Sequence, residues 1–478
     1  MQAPSAQEPT ADGIAAALRQ ISPRFRETGS SLRRVLIFAG IISLWVALTL
    51  AAWFAHGILA WATGLVYVAY DTLLLVYVAS RTAFVLRQHS VPAGTAAVPL
   101  QATPGIGILI AAYNEAPALP TTLEALIPQL AADDVLLVVD DGSGDGTLAM
   151  LAARYPTVHV LANAHGGKAL ALNAGLAQLR TELVVTLDAD TRLAPDALAA
   201  LREAFAADPA MVAASCVIRP VCAPSLFSGL FQGFQTFEYV GSFCSRIAWM
   251  RADALLLVSG AFAGFRREAL VRVGGFDPQC LVEDYELIHR LHRYSHDRGL
   301  GWRVCAVGTA RAITDAPGSL PSFLRQRRRW FAGFLQTQYW NGDMTFNPRY
   351  GNVGRLMLPI KAFDTLQPVF GLTALVLLAG FASLGRISIF VPALLVLGAK
   401  TCIDVGFQLW WVHVYGRWTG QRAGPARLLR AALTVLAGPF SFQLLRQVGA
   451  TWGWAIFLTG RHRWGVTASV PVAEVPAQ

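Results

Sequence analysis

Val135-Leu136-Leu137-Val138-Val139-Asp140-Asp141-Gly142 is an apolar run closed by two acids and a glycine. It reads as a buried strand, and Gly142, Ser143, Gly144 and Gly146 build a turn after it. A second run of the same form, Leu183-Val184-Val185-Thr186-Leu187, ends at Asp188-Ala189-Asp190. Carboxylates at the carboxyl ends of strands sit where open α/β sheets bind ligands. Glu283-Asp284 and Gln326-Arg327-Arg328-Arg329-Trp330 follow further along the chain. Acids gathered in one cleft repel each other unless a cation or a proton joins them. The order therefore predicts a metal site facing a phosphorylated substrate, with one further acid free to act as a base.

Around these runs, from residue 106 to about 314, short β-branched stretches alternate with amphipathic ones. Ile106-Gly107-Ile108-Leu109-Ile110 is followed by a helical pattern over 119–130 and then by the strand ending at Asp140. This βαβ rhythm predicts an α/β domain with a mostly parallel sheet and helices on both faces. We place that domain at 104–315. Pro92, Gly94, Pro99 and Pro104 mark a linker over 90–104.

The rest of the chain is a different material. Hydrophobic residues make up 54% of the sequence and charged residues only 14%, about half of what a soluble chain carries. Runs at 35–55 and 58–80 are each long enough to span a bilayer, and only His56-Gly57 separates them. They read as a transmembrane hairpin over 35–80, behind a loose arm over 1–34. Arg19, Arg24, Arg26, Arg33 and Arg34 precede the hairpin and Arg81 and Arg87 follow it, so the positive-inside rule puts both flanks in the cytosol. A C-terminal transmembrane region is expected over 356–460, with spans near 365–384 and 387–414. Arg417, Arg422, Arg427 and Arg430 mark the return to the cytosol. The stretch 431–460 reads as one imperfect span, a re-entrant hairpin or a pair of interfacial helices. Between domain and spans, 316–345 reads as an amphipathic helix on the membrane surface, with Phe323, Leu324, Trp330, Phe331, Phe334 and Leu335 near helical spacing. Arg325, Arg327 and Arg328 are candidates for lipid anchoring alone.

The net charge of +9 points to lipid headgroups and a nucleotide diphosphate as anionic partners. Nucleic acid is not expected, because no basic stripe interleaved with aromatics lies in a recognisable module. None of the six cysteines forms a C-x-x-C pair, and five lie in the segment placed in the cytosol, so they read as small buried hydrophobes. His289, His292 and His296 share a helical face. Arg290, Arg293 and Arg298 beside them disfavour zinc, and we read a solvated face. Asp71, Lys400 and Asp404 lie inside predicted spans, where they form either a mutually neutralised group or a polar path for a saccharide.

Individual residues suggest roles. Asp141 is placed to accept hydrogen bonds from a base or ribose edge, or to cap the next helix. Asp188 and Asp190 stand two apart and should point to one face. Their oxygens suit Mg²⁺ or Mn²⁺, which takes one or two carboxylates plus phosphate oxygens. Lys168 follows Gly166-Gly167 without the spacing of a P-loop. It is either a donor-site contact or a surface lysine. Asp284 is the expected general base toward an acceptor hydroxyl. Glu283 supports it, and Glu286 should face solvent. Gln326, Arg329 and Trp330 offer an amide, a guanidinium fork for diphosphate and an indole face for a sugar.

Ala112-Tyr113-Asn114-Glu115, Asp140-Asp141-Gly142-Ser143, Gly167-Lys168-Ala169-Leu170-Ala171-Leu172-Asn173, Asp188-Ala189-Asp190, Glu283-Asp284 and the Gln-x-x-Arg-Trp of 326–330 together resemble membrane-embedded family 2 glycosyltransferases. That group includes the cellulose, chitin, hyaluronan and poly-N-acetylglucosamine synthases. The resemblance covers about residues 104–340. It implies a GT-A-type, Rossmann-like α/β domain inserted between transmembrane helices of a plasma (inner) membrane protein. It implies an inverting, metal-dependent transfer from a UDP-sugar to a growing polysaccharide, with translocation and accessory export proteins as further expectations. Ceramide glucosyltransferases carry a similar Gln-x-x-Arg-Trp, so a single transfer to a lipid acceptor stays open. By resemblance, Asp141 or its neighbour contacts uracil and Lys168 the donor. Asp190 binds the metal, with Asp188 by the ribose and diphosphate. Arg329 meets the pyrophosphate and Trp330 marks the acceptor end. The family usually has Thr before its Glu-Asp, where this chain has Val282.

Overall fold

A computed structural model describes residues 10–25, 32–87, 104–421, 424–438, 441–459 and 473–474. The linker read at 90–104 lies, but for Pro104, outside the described residues. The strands are β1 (Ile106–Ala112), β2 (Val135–Asp140), β3 (His159–Ala162), β4 (Leu183–Asp188), β5 (Thr191–Leu193), β6 (Met211–Cys222), β7 (Phe262–Arg266), β8 (Arg303–Ala316) and β9 (Ala473–Glu474). They form one sheet in the order β5-β8-β6-β7-β4-β1-β2-β3-β9. The half built from β1 to β4 is parallel, as the βαβ rhythm predicts. Beyond β4 the sheet is mixed: β7 runs antiparallel between β4 and β6, and β6 pairs in parallel with β8.

The two apolar runs are buried on both faces because the side chains alternate across the sheet. Leu109, Leu137, Val139 and Val184 pack into one core with the Lys168–Gln178 and Ser228–Met250 helices. Ile108, Ile110, Leu136, Val138, Val185 and Leu187 pack into the other with the Leu119–Leu126 and Ala197–Ala207 helices. In the register, Ala112 lies beside Asp140 and Ala111 beside Asp188. The parallel direction thus brings both acidic strand ends to one edge of the sheet.

Among the described residues, three helical stretches are long and apolar enough to cross a membrane: Gly57–Arg87, Val353–Ser383 and Ile387–Trp418. The second starts about one helical segment earlier than its apolar run suggests, because a π-turn at Val353–Met357 leads into it. Ala39–Phe54 is a shorter apolar stretch within the Leu32–Phe54 helix. Pro425–Ala437 and Phe442–Leu458 meet at 58°, as a broken span or a re-entrant loop does.

Two expectations change. The arm is not loose over its described part, because the Ala11–Ile21 helix is docked on the α/β domain through Ile14, Leu18 and Ile21. The Leu320–Trp340 helix is more than a surface anchor. It packs along the Phe442–Leu458 helix at Gly449 and Gly453, where added Cβ atoms would fall 2.7 Å from Arg327 and 2.8 Å from Phe331.

Helix and sheet approach closely at Gly175, where an added Cβ would lie 2.2 Å from Leu109 Cδ1 and 2.9 Å from Val139 Cγ2. Overpacking at such a contact costs about 1–3 kcal/mol. Gly175→Val should therefore lower the thermal-unfolding midpoint of the detergent-solubilised protein, while Gly144→Ala, with open space around it, should leave the midpoint in place.

Candidate active site

The sheet edge that carries the acidic strand ends is built up by three turns that lock each other. Asn114 has a left-handed backbone (φ 58°), and its amide oxygen accepts from Gly144 N at 2.8 Å. Ser143 Oγ and Thr147 Oγ1 accept from Asn114 N and Glu115 N. The Asp141 carboxylate accepts from Gly166 N at 2.9 Å and Gly167 N at 2.8 Å, which ties the end of β2 to the loop before Lys168. Gly142 must be glycine there, since its φ is +79° and an added Cβ would lie 2.8 Å from His165 N. His165 lies 2.9 Å from Asp141 Oδ2 and stacks on Tyr113 at 4.2 Å. That exposed aromatic pair was missed as a site feature in the sequence, although Tyr113 lies within the quoted motif. The partnership depends on a loop about fifty residues away.

Asp188 closes β4, and Asp190 lies in the turn before β5 rather than on one continuous strand. Both still line the same cavity. Lys168 makes a short ion pair with Asp188 and lies 3.7 Å from Glu283, so it is no free surface lysine. Burial works against the Lys168 charge, but Asp188 and then Glu283 reverse this and hold it protonated, above the usual lysine range. Asp190 accepts from the Thr314 and Thr191 hydroxyls. Burial, then Asp188 and Asp315, push its carboxyl up to about 6. Glu115 is pushed up to about 7 by burial, then by Asp190, Asp188, Asp145 and Asp315. This is the electrostatic signature of a place that takes up positive charge. Among the described residues no three acids, histidines or cysteines converge closely enough to hold an ion alone. Asp190 and Asp188 instead fit a hard cation that draws its other oxygens from a diphosphate.

Asp284 opens the Glu283–Arg298 helix. Its Oδ2 accepts from Gly260 N at 2.6 Å and its Oδ1 from Tyr285 N at 2.8 Å, and it faces the cavity. Val282 packs on Gly333 of the Leu320–Trp340 helix, where an added Cβ would be 2.5 Å away. An apolar contact therefore stands where a threonine hydroxyl would lie.

Two expectations for this helix are overturned. Glu286 does not face solvent. It is fully buried and paired with Arg290, whose remaining N–H groups reach the Val273 and Gly275 carbonyls. Nor do the histidines form a solvated face. His289 is buried against the Tyr285 carbonyl, and burial depresses it to about 3. Buried His292 shares a hydrogen bond with the Leu255 carbonyl. The loop at Leu255, the Leu320–Trp340 helix and the chain after Trp340 cover this helix, which its polar sequence did not announce.

From the Leu320–Trp340 helix, Gln326, Arg329 and Trp330 all line the cavity. Gln326 Oε1 is buried without a hydrogen-bond partner, and Arg329 donates to the Leu281 carbonyl at 3.2 Å. Arg327 is not a lipid anchor. It is buried, paired through both terminal nitrogens with Glu238 at 2.9 and 2.6 Å, and lies over the Trp330 ring at 4.5 Å.

The cavity has a volume of about 1050 Å³ and does not stop at the domain. It runs from Asp141 and Asp190, past Asp284 and Trp330, to Asp71, Gln367 and Asp404 between the apolar helices. One wall is a stripe that the sequence reading missed: Glu238, Ser242, Ser245 and Arg246, spaced along one face of the Ser228–Met250 helix. Arg246 donates to Ser215 Oγ at 3.0 Å, and burial lowers it to about 10. Deeper in, Lys400 pairs with both Asp71 (2.6 Å) and Asp404.

The sequence pattern described as "Glycosyl transferase family 2" matches residues 107–274. A poly-beta-1,6-N-acetyl-D-glucosamine synthase of Staphylococcus epidermidis is 28% identical over 253 residues, covering 50% of this chain and 58% of its own length. The synthase of that name from Staphylococcus aureus (strain COL) is 29% identical over 233 residues, covering 48% of this chain and 54% of its own. The chain thus spans little more than half the length of these curated relatives. Among solved structures, the mannosyltransferase PcManGT from Pyrobaculum calidifontis, in complex with GDP-Man and Mn²⁺, superposes with a TM-score of 0.55 at 23% identity. The match covers 79% of this chain and 98% of that one, and the likeness is one of fold.

The raised acids give a pH dependence. A carboxyl whose folded pKa lies above its unfolded value stabilises the fold below the ordinary carboxylate range and loses that contribution as pH rises through the folded value. The chelator-treated protein should therefore lose stability as pH rises toward about 6 to 7, read as a falling unfolding midpoint. Asp190→Asn should flatten the lower part of that fall.

Proposed function

Because residues 107–274 are a family 2 glycosyltransferase domain on a GT-A-type fold, we propose that this glycosyltransferase moves a sugar from a UDP-sugar to a growing polysaccharide at the membrane. The observation that carries the reading is the single cavity joining the acidic sheet edge to the space between the apolar helices. A donor bound at one end and an acceptor held at the other would meet at Asp284.

In this reading Asp284 takes the proton from the acceptor hydroxyl as its oxygen bonds to the anomeric carbon. The bond from that carbon to the β-phosphate oxygen breaks, its electron pair leaves with UDP, and the anomeric centre inverts. The two backbone N–H groups on Asp284 aim the carboxylate while leaving lone pairs for the hydroxyl. Lys168 and Arg329 offer positive charge to the diphosphate. Asp190 and Asp188 would hold Mg²⁺ or Mn²⁺, which supplies Lewis-acid stabilisation of the leaving diphosphate. Asp141 shapes the base pocket, with the His165–Tyr113 stack as one wall. The unpartnered Gln326 oxygen and the Trp330 face receive the acceptor sugar. Arginine placement favours a cytosolic catalytic domain at the plasma (inner) membrane.

A second reading, transfer of one sugar to a membrane lipid, is supported by a different observation. Leu74, Leu75, Val78, Phe237, Phe407 and Phe442 line the membrane half of the cavity alongside the polar groups. Membranes carrying the protein and fed labelled UDP-N-acetylglucosamine or UDP-glucose separate the two. The named product of the curated relatives makes the first of these the donor to try first. Label in a large, glycosidase-sensitive polymer supports the first reading, and label in an organic-extractable lipid the second.

Asp284→Asn should lower transfer by about 10²–10⁴-fold, the usual contribution of a general base. UDP binding, followed by calorimetry, should stay intact. Full transfer in this variant would sink the assignment of Asp284.

A further inference from the structure

The segment over 11–25 touches the catalytic machinery through a loop that no motif marks. Its helix is capped by Thr10, whose hydroxyl accepts from Gly13 N. Ile14, Leu18 and Ile21 form a helical stripe that is buried against the domain. The contact surface is Gly274-Gly275. A Cβ on Gly274 would fall 2.2 Å from Leu18 N, and one on Gly275 would fall 2.9 Å from Ile14 Cγ2. Just beyond the helix, Arg24 grips Asp277 in a fork, Nε and Nη2 each 3.0 Å from a different oxygen. Asp277 is fully buried, and its other polar contacts are Gln279 N at 2.9 Å and Ser22 Oγ at 3.5 Å.

Asp277 lies in the loop over 274–282, which ends at Glu283-Asp284. The same loop is tied to three helices of the site. Asn173, on the Lys168 helix, bonds both the N–H and the carbonyl of Phe276. Gln336 bonds Gln279 and Leu281, and Arg329 bonds Leu281. Arg290 holds Gly275 from the Asp284 helix itself. Arg24 is thus the N-terminal member of a ring of contacts that sets where Asp284 stands.

We propose that the docked N-terminal helix and Arg24 are a positioning latch for this loop, so that turnover depends on residues 11–25. The inference rests on Asp284 as the base. Without Arg24 the Asp277 carboxylate stays buried and unpaired, and the loop must shift to hydrate it. Misplacement of a reacting group by about 1 Å lowers rates by up to about a hundredfold.

The test uses the full-length enzyme in membranes or detergent. Arg24→Ala should lower kcat by about ten- to a hundredfold, with the donor KM and the Kd for UDP within about twofold of the parent. Arg24→Lys, which keeps the charge and loses the fork, should fall between. Asp277→Asn added to Arg24→Ala should recover part of kcat, because it removes the uncompensated charge. Arg19→Ala, exposed on the same helix, should match the parent. Ile14→Ser with Leu18→Ser should reproduce the Arg24→Ala effect by undocking the helix. A normal kcat in Arg24→Ala overturns the latch. So does a loss of kcat that tracks a loss of UDP binding, which marks general unfolding. Asp284→Asn, run in parallel, keeps the claims apart: retained turnover there sinks the base and the latch with it, whereas a normal kcat in Arg24→Ala beside an inactive Asp284→Asn sinks the latch alone.

Discussion

Lys168 stands between carboxylates from two distant parts of the chain, Asp188 at the end of β4 and Glu283 at the start of the Asp284 helix. Glu115, Asp188, Asp190, Glu283 and Asp284 are among the acids that line this end of the cavity. Without a cation among them their repulsion would open the cleft. Burial disfavours the lysine charge, yet Asp188 and then Glu283 keep it charged. The glycines before Lys168 give their N–H groups to Asp141. One short segment, 166–168, therefore joins the ends of β2 and β4 and the Asp284 helix.

The Asp284 helix is held by charge as well as by apolar packing. Glu283, Asp284 and Glu286 occupy its first turn, where the helix dipole favours negative charge. Glu286 and Arg290 are fully buried, a pairing that is stable only when every remaining donor finds an acceptor. The carbonyls of Val273 and Gly275 meet that requirement for Arg290. Arg293 reaches Asp343 and Asn341 through its two terminal nitrogens. These bonds give the helix one position relative to the loop before it.

The helix of Gln326 and Trp330 couples this site to the apolar helices. It packs on Val282 on one side and on Gly449 and Gly453 on the other. The glycines permit close approach, so the two halves of the cavity share a wall instead of meeting across a gap. At depth, Lys400 pairs with both Asp71 and Asp404, and the two acids line the cavity.

The local periodicities of the chain announced β1, β2 and β4, the long apolar helices and the acids at the strand ends, because those signals reside in neighbouring residues. The motif residues Asp141, Lys168, Asp188, Asp190, Asp284, Gln326, Arg329 and Trp330 do line one cavity. What the sequence did not determine is the fate of charges whose partners lie far along the chain. Arg24 and Asp277 are 253 positions apart, Arg327 and Glu238 89 apart. A polar helix reads as solvated until other layers cover it, as with Glu286 and His289. An N-terminal arm reads as loose until a glycine pair gives it a seat. The antiparallel direction of β7 is likewise set by the neighbours it pairs with, since an apolar run has the same composition in either direction. Burial and pairing are properties of the assembled chain, and only the tertiary structure decided them.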